Sequence, residues 1–149
     1  PISLGWRMIP SIGSPRDRQK LISGLANKRL IAIGVNSVAL DDVEIRKAPN
    51  RRHPGLNGYN LVLPLLWQEL IVNSGWEIEA LWDALSFGPS KYLNAPIECL
   101  KPDSNRWLLF DPSEQWIQGT NKTKSPFSAN QPLEGEKIIG KVVDCGLCY

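Results

Sequence analysis

Asn36 ends an unbroken apolar run, LIAIGV at residues 30–35, and a polar, basic loop of about twenty residues begins there. Within that loop Asp41, Asp42 and Glu44 form a carboxylate cluster of the kind that ligates a hard cation. No His or further carboxylate is spaced to join them, so a solvated acidic turn is the default. His53, between Arg52 and Pro54, is the single side chain that titrates near neutrality and so could carry a proton. In a basic loop the default for it is exposure. Arg46, Lys47, Arg51 and Arg52 make a small basic patch on which an anionic substrate or partner could dock. No aromatic residues interleave with those charges, as a nucleic-acid groove would require, and a solvated loop is again the default. Cys145 and Cys148 have the spacing of half a zinc or redox site. No second cysteine pair exists to complete it, and His53 is distant in sequence. Two idle thiols near a fraying C-terminus are the simpler reading. The chain has no glycine-rich phosphate loop, nucleophile elbow or triad spacing.

The surrounding elements decide which of these residues can act. A run as short and apolar as 30–35 reads as a strand buried on both faces, as in a parallel sheet. After the loop, Pro54-Gly55-Leu56-Asn57-Gly58 turns the chain into an apolar helix over 61–72, with Pro64 in its first turn. Strand, long loop and helix form the repeating unit of an α/β barrel, whose chemistry sits at the C-terminal end of each strand. Asn36 and its neighbours are therefore the expected site. Residues 1–13 form an irregular lead-in. Ser14, Pro15 and Asp17 then carry the signature of a helix N-terminus, and that helix ends near Asn27. Asn73-Ser74-Gly75 stops the helix at 61–72. A second amphipathic helix follows over 77–86, Gly88-Pro89 breaks it, and one short turn spans 90–94. Beyond Pro96 the texture changes to short strands at 107–110, 116–117 and 137–143. Turn clusters such as Asp111-Pro112-Ser113 and Lys124-Ser125-Pro126 separate them.

Seventeen basic and fifteen acidic residues leave a net charge of +2 over 149 residues. That balance argues against nucleic acid and against a membrane surface as partners. No apolar segment is long enough to cross a bilayer, and no secretory pattern opens the sequence. Three cysteines outside a secretory context point to reduced thiols in the cytoplasm. Six tryptophans imply extensive contact surface, part of which a partner would cover.

Residues 54–67, PGLNGYNLVLPLLW, resemble the loop and last barrel helix of dihydroorotases in the amidohydrolase superfamily, especially the divergent cyanobacterial type. The family pattern there is Pro-Gly-x-x-Gly-Leu-Glu running into Ala-Leu-Pro-Leu-Leu. Leu109-Phe110-Asp111-Pro112 is similar to the Leu-Phe-Asp-Pro strand end of that family. Ser128-Ala129-Asn130-Gln131-Pro132-Leu133-x-Gly135 resembles its Ser-x-Asn-Thr-Pro-x-x-Gly tail, and residues 13–19 are also similar. The matches run in order over nearly the whole chain. They correspond to the C-terminal part of such an enzyme.

The resemblance implies an α/β fold: residues 1–95 as the last strand and helices of a (β/α)8 barrel, and 96–149 as part of a small β domain. Residues 30–35 would be the eighth strand. The family hydrolyses the cyclic amide of dihydroorotate in pyrimidine biosynthesis, using water activated by zinc held on His and a carboxylated Lys. A carboxylate after the eighth strand moves the proton, within an Asp-His-x-Pro motif. This chain has Asn36-Ser37-Val38-Ala39 there. The substrate-binding His falls at Leu40 and the substrate-binding Asn at Ile9, both apolar, and Gly13 stands where an Arg is often found. Gly55 and Gly58 of the loop are retained as substrate-side positions. No family metal ligand lies in the chain, so the expectation is no metal here. The implied partners are an N-terminal barrel portion, a second copy, or aspartate transcarbamoylase, for which inactive homologues act as scaffolds. Three alternatives stay open: part of an active dihydroorotase, a non-catalytic scaffold subunit, or an unrelated binding module using the basic loop or the cysteine pair.

Overall fold

Ser14 opens the first helix as its side chain dictates. Its hydroxyl accepts from the Asp17 N–H at 3.3 Å, and the Asp17 carboxylate accepts from the Ser14 N–H at 2.9 Å. This reciprocal cap, with Pro15 at the first helical position, starts α1 at Pro15–Ala26. The computed structural model describes residues 8–97, 99, 101–102, 104, 106–119 and 128–147. The chain then forms a short α2 (Asp42–Arg46), α3 (Tyr59–Leu66), α4 (Ile78–Trp82), α5 (Gly88–Tyr92), and the strands β1 (Arg106–Ile117) and β2 (Lys137–Leu147). No helix among the described residues is long and apolar enough to cross a membrane.

α3 begins two residues before the expected start, so Pro64 lies inside the helix rather than in its first turn. Proline has no N–H to give, and the helix widens directly after it into π turns at Trp67–Val72. Asn73 N–H donating to the Gln68 carbonyl at 2.9 Å marks that wider spacing. Gly75, at φ +68°, then turns the chain away, as the Asn-Ser-Gly stop predicts. The second amphipathic helix does not break at Gly88-Pro89. α4 passes through π turns at Asp83–Phe87 into α5 without interruption, and Pro89 falls in the first turn of α5. Glycine is required at 88 because a Cβ there would sit 2.0 Å from the Ile31 carbonyl oxygen.

β1 and β2 pair antiparallel from Arg106↔Leu147 to Ile117↔Lys137. The expected strands at 107–110 and 116–117 are one strand. Asp111-Pro112-Ser113 is a bulge inside it and not a turn between two strands. The Asp111 carboxylate accepts from the N–H groups of Ser113 at 2.8 Å and Glu114 at 3.1 Å, which satisfies the backbone where the ladder lapses. β2 runs to residue 147, so Cys145 sits in a strand opposite Leu108 and not in a frayed end. Cys148 and the 124–126 cluster lie outside the described residues.

The core forms where α3 and the π turns that extend it pack on β2, with α4 packed against those turns. Leu63, Leu70 and Leu81 are buried together, and Ile22, Ile33, Phe110 and Val142 pack against them. Trp67 and Phe110 meet with ring centroids 5.2 Å apart. Burying each such leucine contributes about 2 kcal/mol. The core thus draws residues from both sides of position 95.

Residues 30–35 do not form the expected buried strand within this chain. They lie outside helix and ladder, and Leu30, Ile31 and Val35 are 41%, 50% and 40% exposed. Among the described residues this segment has no neighbouring strand: β1 and β2 pair with each other, and the Ile33 N–H donates to the Ala84 carbonyl at 2.8 Å.

Candidate functional site

The loop after Asn36 is held shut by amides and hydroxyls. Asn130 is fully buried, with its side chain between the two limbs of the loop. Its Oδ1 accepts from the Leu40 N–H at 2.9 Å, and its Nδ2 donates to the carbonyls of Val38 at 2.7 Å and Gly55 at 3.0 Å. Ser37 Oγ donates to Asn57 Oδ1 at 3.0 Å and accepts from the Gly58 N–H at 3.2 Å. Asn57 Nδ2 donates to the buried Ser128 Oγ at 2.8 Å. Backbone bonds run alongside, from Val38 N–H to the Leu56 carbonyl and from Ala129 N–H to the Leu40 carbonyl. The 128–130 tail therefore closes the loop over some ninety residues of sequence.

The carboxylates of the loop shape its backbone. Asp41 caps α2 by accepting from the Glu44 N–H at 2.7 Å. Glu44 pairs with Lys47 and accepts from the His53 N–H at 2.8 Å. The Lys47 ammonium first, and the His53 N–H second, hold its carboxyl below the ordinary glutamate range. A group whose folded pKa is depressed stabilises fully above its unfolded pKa and loses that contribution as pH falls through the folded value. The loop is thus expected to loosen on acidification, seen as an acid transition of the His53 amide resonance. Glu44→Gln should abolish that transition, and a transition unchanged in the variant would assign it to another group. Of the basic patch, Arg52 donates to the Ile45 and Lys47 carbonyls, while Arg46 and Arg51 are exposed.

The latch brings Leu40, Gly55 and Gly58 together beside Ser37. Asn36 is exposed at the mouth of the loop. Leu40 is buried, with its backbone fastened by Asn130 and Ala129, so its side chain fills the frame. Ile9 is 64% exposed and remote in sequence from the latch. Gly55 and Gly58 both serve the frame. Gly55 has φ +144°, and a Cβ there would lie 2.6 Å from Val38 Cβ. Gly58 precedes α3, and a Cβ there would press on Pro132 at 3.2 Å. Sequence reasoning missed the latch itself. Ser37, Asn57 and Asn130 read as ordinary loop formers, and the one signal was that Asn130 falls within the family-like tail.

Among the described residues no three His, Cys, Asp or Glu side chains converge in a way that could hold a metal ion. Asn36 contributes a neutral amide. These residues do not fit a zinc site, and the latch contains no group that ionises near neutrality. The arrangement can hold a loop in one shape and present Asn36 at its mouth.

No protein-family model matches the chain. A probable dihydroorotase-like protein of Synechocystis is 35% identical over 139 residues, which cover 92% of this chain and 30% of that protein. The dihydroorotase of Staphylococcus aureus (strain Mu50) is 26% identical over 143 residues, covering 93% of this chain and 32% of that protein. This chain thus spans about a third of the length of the curated relatives it matches. A D-hydantoinase (dihydropyrimidinase) from Thermus sp. superposes with a TM-score of 0.77 at 17% identity, over 96% of this chain and 32% of that one. A second D-hydantoinase gives a TM-score of 0.74 at 14% identity over the same shares.

Proposed function

We propose that this chain, a relative of dihydroorotase-like proteins, forms the C-terminal third of such a protein, with the frame of the site kept and its proton-transfer group lost. The observation that carries this is the pairing of Asn36 with an intact latch. Ser37, Asn57, Ser128 and Asn130 still hold the loop, while the residue at its mouth is an amide. An amide neither takes a proton near neutrality nor offers negative charge. Losing a general base removes a contribution of roughly 10²–10⁴-fold. Leu40 and Ile9 add to the loss, since neither apolar side chain can bind a substrate carboxylate. The setting is pyrimidine biosynthesis in the cytoplasm, where the exposed thiols of Cys99 and Cys145 stay reduced.

A second reading, a non-catalytic scaffold subunit, is favoured by the apolar surface at Leu30, Ile31, Val35 and Leu109. Its partner would be a second copy or aspartate transcarbamoylase.

The test combines metal analysis of the purified chain with a dihydroorotate hydrolysis assay. The expected result is no stoichiometric zinc and no turnover. Stoichiometric zinc together with turnover would contradict the proposal.

A further inference from the structure

Four asparagines precede a residue no larger than serine: Asn36-Ser37, Asn57-Gly58, Asn73-Ser74 and Asn94-Ala95. In such a pair the following main-chain nitrogen can reach the side-chain amide carbon. Ring closure there expels ammonia and turns the amide into an acid. By residue type alone Asn57-Gly58 ranks first, because glycine has no Cβ to obstruct the approach.

The structure reverses that order. Asn57 is bound at both ends of its amide: Oδ1 accepts from Ser37 Oγ at 3.0 Å, and Nδ2 donates to Ser128 Oγ at 2.8 Å. The attacking nitrogen is occupied too, since the Gly58 N–H donates to Ser37 Oγ at 3.2 Å. At Asn94 the Ala95 N–H donates to the Ser90 carbonyl at 2.8 Å. Asn73 ends the π turns at φ −86° and ψ −32°, with its N–H on the Gln68 carbonyl and the Ser74 hydroxyl on the Glu69 carbonyl. Asn36 has none of these restraints. It is exposed, and among the described residues neither its side chain nor the Ser37 N–H has a hydrogen-bond partner. No main-chain N–H between Ile33 and Val38 is bonded to a described residue, so the backbone is free to turn at Asn36 and bring Ser37 N towards Cγ.

We propose that Asn36 is a deamidation site, and that the latch protects the intrinsically more reactive pair Asn57-Gly58. Hydroxide takes the proton of the Ser37 N–H, and the nitrogen attacks Asn36 Cγ. The Cγ–Nδ2 bond breaks, and ammonia leaves with a proton taken from water. Water then opens the cyclic imide. Addition at Cγ restores the main chain and leaves an aspartate side chain. Addition at the main-chain carbon gives isoaspartate, with an extra methylene in the backbone. Water is the sole co-reactant, and nothing is oxidised or reduced. Ser37 acts on both sides: its nitrogen closes on Asn36, while its hydroxyl holds Asn57 and Gly58. The aspartate product carries the ionisable carboxylate that Asn36 lacks. That consequence rests on the proposed loss of a proton-transfer group; the modification itself does not.

The purified chain is held at physiological temperature and mildly alkaline pH, folded and, in parallel, unfolded in urea. Mass spectrometry follows the amide-to-acid change in the peptides that contain Asn36 and Asn57. In the folded chain Asn36 is expected to convert at least tenfold faster than Asn57, and faster still as pH rises. In urea the order should reverse. Asn36→Gln, whose longer side chain closes a ring far more slowly, should remove the change from its peptide. Asn36 converting no faster than Asn57 in the folded chain overturns the proposal. So does an Asn36 that keeps its amide when folded over the time in which urea converts it. Dihydroorotate turnover is followed separately, with the chain joined to the remainder of Staphylococcus aureus dihydroorotase and its aspartate form isolated. Turnover no higher than with the amide would defeat the functional reading and leave the modification site standing.

Discussion

Replacing Asn130 by alanine is expected to lower the stability of the chain by about 3 kcal/mol, a large share of what a domain of this size possesses. The side chain is 0% exposed and makes three hydrogen bonds. Its loss leaves the buried Leu40 N–H and the part-buried Val38 and Gly55 carbonyls without their side-chain partner, and a fully buried group so left costs about 1–3 kcal/mol. The isosteric change Asn130→Asp separates donor from acceptor. Its first oxygen still accepts from Leu40, but the second faces two carbonyls with no proton to give, so the loss should be at least as large as for alanine. Urea denaturation measures both variants, and exchange at the Leu40 amide reports the latch directly. An Asn130→Asp variant as stable as the parent would show that the two donated bonds do not hold the loop.

The parts of the fold that depend on local chemistry were legible in the sequence. Ser14, Pro15 and Asp17 specify a helix start whatever lies around them, and Gly75 specifies a stop because it alone adopts φ +68° without strain. The helical spacing of the second amphipathic helix places Leu81 in the buried core, with Trp82 and Leu85 packed against it. The parts that depend on distant neighbours were not legible. Gly88-Pro89 has the form of a breaker, yet Gly88 is there to let the Ile31 carbonyl approach, a contact no local pattern encodes. Asp111-Pro112-Ser113 has the form of a turn, and only the partner β2 makes it a bulge. An apolar run reads as a strand, but a strand needs a ladder, and residues 30–35 find no partner within the described residues. The same division runs through the site. The loop and the amide at its mouth were visible from residue types. The role of Asn130 depends on a contact made about ninety positions away, and residue type alone marked it only as part of a family-like tail.

One exchange of chemistry is central to the proposed loss of activity: an amide at position 36 within an intact frame. It is tested most directly by returning the carboxylate in a setting that supplies the rest of a site. A chimera of Staphylococcus aureus dihydroorotase, with its matched third replaced by residues 1–149, is compared with the same chimera carrying Asn36→Asp. Dihydroorotate turnover is measured at equal metal content. The expected result is that the chimera retaining Asn36 turns over at least 10²-fold more slowly than the one carrying Asn36→Asp, as loss of a general base requires. Equal turnover by the two chimeras would contradict the account, because position 36 would then carry no part of the chemistry.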